Sequence, residues 1–143
     1  WYSKSGYRKI HYDNSDLSFS PSAILNGFLD FHYKGFQGLW HTNYVSRQYL
    51  DNTKNEDRSL PWFTQTNISL NYTLNVNRKF IGMKEAVFGV NFNNIFDRHY
   101  ANSGWVYSAY DKENMKDSDA RYYQIGFIPA AGFTVMGNVT LRF

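Results

Sequence analysis

The last eleven residues, Phe133 to Phe143 (FTVMGNVTLRF), alternate with a period of two. Phe133, Val135, Gly137, Val139, Leu141 and Phe143 form one set, with no polar side-chain atom. Thr134, Met136, Asn138, Thr140 and Arg142 form the other. That period puts the two sets on opposite faces of a β-strand. At about 3.3 Å per residue the strand reaches roughly 36 Å, and a tilt near 40° brings this to the thickness of a bilayer core. Such a strand has neither hydrogen-bond partners nor cover for its apolar face when alone, so the rest of the chain is required to supply neighbours of the same kind.

It does. Ala23, Leu25, Gly27, Leu29, Phe31 and Tyr33 alternate with Ile24, Asn26, Phe28, Asp30 and His32. Lys34-Gly35 is a two-residue turn signal, since Gly accepts the positive φ that tight hairpins need. Beyond it Phe36, Gly38, Trp40, Thr42 and Tyr44 oppose Gln37, Leu39, His41, Asn43, Val45 and Arg47. A two-residue loop pairs Tyr33 with Phe36, Phe31 with Gly38, Leu29 with Trp40 and Leu25 with Tyr44, joining apolar face to apolar face. Ile68, Leu70, Tyr72, Leu74 and Val76 make a third set, and Ala86, Phe88, Val90 and Phe92 a fourth. Matching these two requires a loop of odd length, with Val76 opposite Lys84.

The expected strands are therefore residues 17–33, 36–49, 63–76, 85–96 and 132–143. Loops between them run short (34–35), long (50–62), short (77–84) and long (97–131). Helix signals are sparse, and residues 1–16 carry no sustained period. The fold class is all-β, an antiparallel up-and-down sheet of about five strands. Alternating short and long connections suit an outer-membrane β-barrel, with tight turns on one side and long extracellular loops on the other.

Composition is consistent with this. The 143 residues contain 20% aromatic and 19% charged side chains, no cysteine and a formal charge of +3. Mean hydropathy is −0.56, so no stretch approaches the roughly 18 apolar residues of a transmembrane helix; barrel strands, which alternate, average to polar hydropathy. Disulfides and thiolate metal sites are excluded, and the dispersed basic residues give no support for nucleic-acid binding. The apolar sets contain no charge. The opposite sets carry Asn, Ser, Thr, Gly and Gln with few charges, whereas a solvent face normally carries Lys, Glu and Arg in quantity. Aromatics gather near strand ends, with Tyr33, Phe36 and Phe143 on the turn side and Tyr44, Phe63, Phe96 and Phe133 on the other, as interfacial girdles do.

Asn94-Ile95-Phe96-Asp97-Arg98-His99-Tyr100 resembles the N-L-F-D-x-x-Y segment that ends the penultimate strand of TonB-dependent outer-membrane receptors, with Ile95 where Leu is commoner. Pro129-Ala130-Ala131-Gly132 resembles the lead-in to that family's last strand, although Phe133 stands where Arg is frequent. The motif likeness covers residues 88–100 and 121–143. It implies the last five strands of a 22-stranded barrel, whose plug domain and TonB-contacting box are not part of this sequence. It also implies an outer-membrane location in a Gram-negative bacterium and active import of a scarce nutrient, such as a siderophore, haem, cobalamin or an oligosaccharide. The partners implied are outer-membrane lipid, the remaining strands and plug, TonB and the nutrient. Val135, Val139, Leu141 and Phe143 resemble the signal read by the barrel-assembly machinery, and Phe143 reads as the C-terminus.

Chemistry along the chain is thin. On the 34–35 hairpin His32 faces Gln37 and His41 faces Phe28, about four residues or roughly 13 Å apart at strand rise, too far to share a metal. Asp30 and His32 have no nucleophile beside them, so no catalytic residue, metal or cofactor is expected. His11 and His99 read as polar loop residues, and residues 51–58 as a solvated charged loop. Trp105, Tyr107, Tyr110 and Tyr122 are the candidate ligand-binding residues of the last long loop, because exposed rings stack on planar or sugar ligands. Rival readings are a passive porin-like barrel and a soluble aromatic-rich β-sandwich that binds carbohydrate.

Overall fold

The structure is a computed structural model describing residues 15–76, 82–110 and 121–143. It is all-β. The main sheet contains β1 (Ile24–Tyr33), β2 (Phe36–Val45), β5 (Phe63–Asn75), β6 (Glu85–Asn93) and β9 (Thr134–Arg142), in that order and antiparallel throughout. Two small ribbons accompany it: β3 (Gln48–Tyr49) with β4 (Ser59–Leu60), and β7 (Ala101–Tyr110) with β8 (Arg121–Pro129). No helix among the described residues is long and apolar enough to cross a membrane.

The first hairpin adopts the register its alternation predicts: Tyr33 lies opposite Phe36, Phe31 opposite Gly38, Leu29 opposite Trp40 and Leu25 opposite Tyr44. Both turn residues have positive φ, 43° at Lys34 and 82° at Gly35, the mirror-image turn whose twist matches the flanking strands. The odd-length connection is present as well, the Val76 amide donating to the Lys84 carbonyl at 3.1 Å. His32 faces Gln37 and His41 faces Phe28.

These registers bring the apolar sets of all five strands onto one face. Leu29, Trp40, Ile68, Phe92 and Val135 form one cross-strand row. Tyr33, Phe36, Tyr72, Phe88 and Val139 form another, four aromatics in succession near the turn end. Two threonine hydroxyls within this face satisfy one another: Thr42 and Thr66 oxygens lie 3.0 Å apart, and the Trp40 indole N–H donates to Thr42 at 2.8 Å. Five strands about 4.8 Å apart and about nine residues long make a face of roughly 700 Å². The largest apolar patch on a soluble monomer is roughly 300–600 Å². Nothing described covers it: Leu29 is 72% exposed, Val139 61% and Trp40 37%.

Departures from the sequence expectations have local causes. Residues 17–23 are not strand; the chain turns there, with φ 57° at Phe19 and its amide bonded to the Tyr49 carbonyl. β2 stops at Val45, and Gln48–Tyr49 pairs with β4 in a separate ribbon. β6 stops at Asn93 because Asn94 takes φ 51°, which no strand continues. Most of the stretch expected as loop 97–131 is the β7–β8 hairpin, while β6 pairs directly with β9 across that excursion. Phe63 does not belong to an interfacial girdle: it is buried and stacks on Tyr100 with centroids 4.1 Å apart. Trp62 is the exposed ring at that corner, 6.1 Å from Tyr44.

The turn supplies a test of register control. A Cβ on Gly35 would meet the Thr73 carbonyl oxygen at 2.7 Å and carry a side chain at φ 82°. Gly35→Val should destabilise the folded chain by about 2–3 kcal/mol, while Lys34→Asn should stabilise it by about 0.5–1 kcal/mol because Asn tolerates positive φ. Denaturant titration in detergent checks both signs.

Candidate functional site

The chemically distinctive residues collect at the end of the sheet opposite the 34–35 turn. Leu50, Leu60, Val45 and Phe63 are buried there, Leu60 fully. This small core anchors three arrangements.

The first is a clasp built on the Asn94–Tyr100 segment. Asn94 is 1% exposed. Its side-chain amide donates to the carbonyls of Arg98 (3.0 Å) and Ala131 (3.2 Å), and its Oδ1 accepts from the Arg98 amide (3.0 Å). Its own amide donates to Asn67 Oδ1 at 3.0 Å, and the Ile95 amide to the Thr66 carbonyl at 2.9 Å. Asp97, at φ 47°, accepts the Phe133 amide at 2.8 Å. A Cβ at Gly132 would lie 2.7 Å from that same carboxylate oxygen, so the small residue before Phe133 is what lets Asp97 close. Tyr100 donates to Gln65 Oε1 at 2.9 Å, and burial raises its phenol above the ordinary value. Phe96 is exposed. The segment thus ties the end of β6 to the start of β9.

The second is a latch that the sequence reading placed in a solvated loop. Arg58 is buried, its Nε donating to Asp51 Oδ2 at 2.6 Å and its Nη2 bonding Thr53 Oγ1. Asp51 Oδ1 also accepts the Thr53 amide at 3.0 Å and its hydroxyl. Burial works to raise the Asp51 pKa, but the hydrogen bonds from Thr53 and the bond and charge of Arg58 outweigh it, and the carboxyl lies below its ordinary value. The guanidinium carbon sits 3.9 Å from the Tyr123 ring centroid, which fastens β8 to this loop. Nothing in the local sequence marks Asp51, Thr53, Arg58 and Tyr123 as one unit, because Tyr123 is distant along the chain. An Asp two residues before a Thr was the available signal, because Asx turns fix such pairs.

The third is the hairpin itself. Trp105 pairs with Gly126 and Tyr107 with Gln124, while Tyr122 pairs with Ala109. Trp105, Tyr107 and Tyr122 therefore share one face, and all three are about half exposed. The Trp105 indole lies directly on Gly126, where any Cβ would collide with it. Tyr110 pairs with Arg121 in the backbone register, and its side chain lies outside the described residues.

Elsewhere, His32 Nε2 lies 3.0 Å from Asp30, and His41 stacks on Phe28 at 4.4 Å while bonding Asn26 at 3.1 Å. Among the described residues no three or more His, Cys, Asp or Glu gather closely enough to hold a metal ion. His11 lies outside the described residues. Val135, Val139, Leu141 and Phe143 are exposed, the first three on the apolar face of β9.

Two outcomes follow. Asn94→Ala strands buried peptide groups and places alanine at φ 51°, so unfolding free energy should fall by about 2–4 kcal/mol; Asn94→Gly relieves the backbone part only. Because the folded Asp51 pKa lies below its ordinary 3.8, the latch contributes fully above that value and loses strength as pH falls through the folded pKa. Acid titration of hairpin amide exchange should show this limb, and Asp51→Asn should abolish it. Comparison with known protein families, characterised proteins and solved structures finds no match for this chain.

Proposed function

We propose that this chain is the closing segment of a TonB-dependent outer-membrane receptor barrel, which imports a scarce nutrient using energy delivered through TonB. The observation that carries the reading is the charge-free, largely apolar face that runs across all five strands and that no described residue covers. A β-sandwich would lay a second sheet over that face, but both further ribbons among the described residues are two-stranded. Strands of 9 to 13 residues suit the roughly 9–11 that a tilted membrane strand needs.

The opposite face supports the reading too. The row His32, Gln37, Asn71, Gly89 and Asn138 contains no Asp, Glu, Lys or Arg. Asp30 is paired with His32, and Glu85 with Arg142. A neutral hydrogen-bonding face suits a lumen lined by water or plug. In this reading the clasp closes the extracellular end of the last hairpin, Trp105, Tyr107 and Tyr122 present rings to incoming ligand, and no residue catalyses.

Trp40 reports on the proposal. In vesicles of brominated phosphatidylcholine, the chain should lose fluorescence that Trp40→Phe does not lose, and carbonate washing should leave the chain in the membrane. Release without detergent, or a Trp40 blind to brominated lipid, defeats the membrane reading. A natural gene with no plug domain and no TonB box encoded ahead of Trp1 defeats the receptor reading and leaves a passive barrel.

A further inference from the structure

We propose that the cleft between the 51–53 turn and the β7–β8 hairpin binds a single ring of a neutral, polyhydroxylated ligand, a sugar. The cleft measures about 260 Å³ and is lined by Leu50, Asp51, Asn52 and Thr53 on one segment and Val106, Ser108 and Tyr123 on the other. Ligand pockets run from roughly 300 to 1,000 Å³, so this one admits one ring rather than an extended molecule.

The lining decides the class. Asp51 and Arg58 neutralise one another at 2.6 Å, and Arg58 is further committed to Thr53 and to the Tyr123 ring. An ionic ligand would compete with that pair, whereas a neutral hydroxyl would not. Asp51 Oδ1 is taken up by the Thr53 amide and hydroxyl, whereas Oδ2 accepts from Arg58 and retains a lone pair for a hydroxyl donor. Asn52, Ser108 and Tyr123 offer groups that donate, and the Ser108 and Tyr123 oxygens also accept, as an array of sugar hydroxyls demands. Leu50, Val106 and the phenol ring supply apolar surface for the C–H face of a pyranose. The polar groups are held in place before any ligand arrives: Asp51 by three hydrogen bonds, and Asn52 through its Oδ1, which accepts the Ser18 amide at 2.9 Å. Held groups lose little entropy on binding. This site is independent of the membrane reading, since none of its residues lies on the five-stranded sheet.

Saturation-transfer NMR on the folded chain in detergent tests it, with methyl glucoside, methyl galactoside and N-acetylglucosamine as probes and glucuronate as the ionic counterpart. At least one neutral sugar should bind with a dissociation constant on the order of 1–10 mM, and glucuronate at least fivefold more weakly. Ser108→Trp fills the cleft from an exposed position and should weaken binding at least tenfold, with hairpin amide protection verifying that β7–β8 still forms. Asp51→Asn leaves Arg58 uncompensated and should shift preference toward glucuronate. No binding by any neutral sugar, unchanged binding in Ser108→Trp with the hairpin intact, or unchanged preference in Asp51→Asn each overturns the proposal. Vesicle quenching of Trp40 reads the membrane assignment separately, so one can fail without the other.

Discussion

The sheet depends on strand register. With a side-chain period of two, a slip of one residue at any strand interface would send an entire apolar set to the opposite face. Two of the four interfaces are fixed locally, by the 34–35 turn and by the odd-length connection ending at Lys84. The β6–β9 interface has no such help, because residues 94–133 intervene. Closing so long an excursion costs about 2.5–3 kcal/mol more chain entropy than a two-residue turn. The clasp offsets this. Asn94 reaches Arg98 and Ala131, Asp97 takes the Phe133 amide, and the Ile95 amide meets Thr66. At about 0.5–1.5 kcal/mol net for each bond, the set covers the loop entropy and leaves the register of the last strand specified from the residue just before it.

The same constraint explains why a polar, buried asparagine occupies the end of a strand. A residue at φ 51° can end β6 abruptly, and an amide side chain can satisfy a donor and an acceptor requirement at once. Gly132 and Asp97 form the complementary half, one giving space and the other charge. On the polar face Gly89 has a comparable role. It lies between Asn71 and Asn138, whose amide oxygens occupy the space a side chain would need. Around Gly89 the face is lined by amides, and its long charged side chain at the turn end, Arg142, is paired with Glu85, unlike an ordinary water-facing sheet.

How much of this was legible depends on how many constraints each residue obeys. The first hairpin was readable because the faces and the turn chemistry at Lys34-Gly35 agreed independently. The Asn94–Tyr100 segment was noticed as a motif, yet its work was hidden, since its partners Thr66, Asn67 and Ala131 are distant in sequence and unmarked. The β7–β8 hairpin escaped because apolar residues run on both faces: Trp105, Val106 and Tyr107 are consecutive, as are Phe127 and Ile128. One face leans on Leu50 and Arg58 and the other carries exposed rings, so no alternation survives. High β-propensity was the remaining clue. Phe63 misled for a related reason: position near a strand end does not say which face a ring occupies, and its register partner Val45 is itself buried.

β1 runs from the loop end toward the 34–35 turn, and β9 runs from the clasp toward that same end, because five antiparallel strands place both edges in one direction. Joining β1 directly to β9, within one copy or head to tail between copies sharing a barrel axis, would pair parallel strands. Antiparallel closure requires an odd number of further strands, each edge meeting a neighbour that runs from the turn end to the loop end. Bacterial single-chain barrels have even strand totals; an even total less five is odd. In the barrel proposed above, parity, edge direction and an apolar face that no described residue covers would place the same demand on the completing strands.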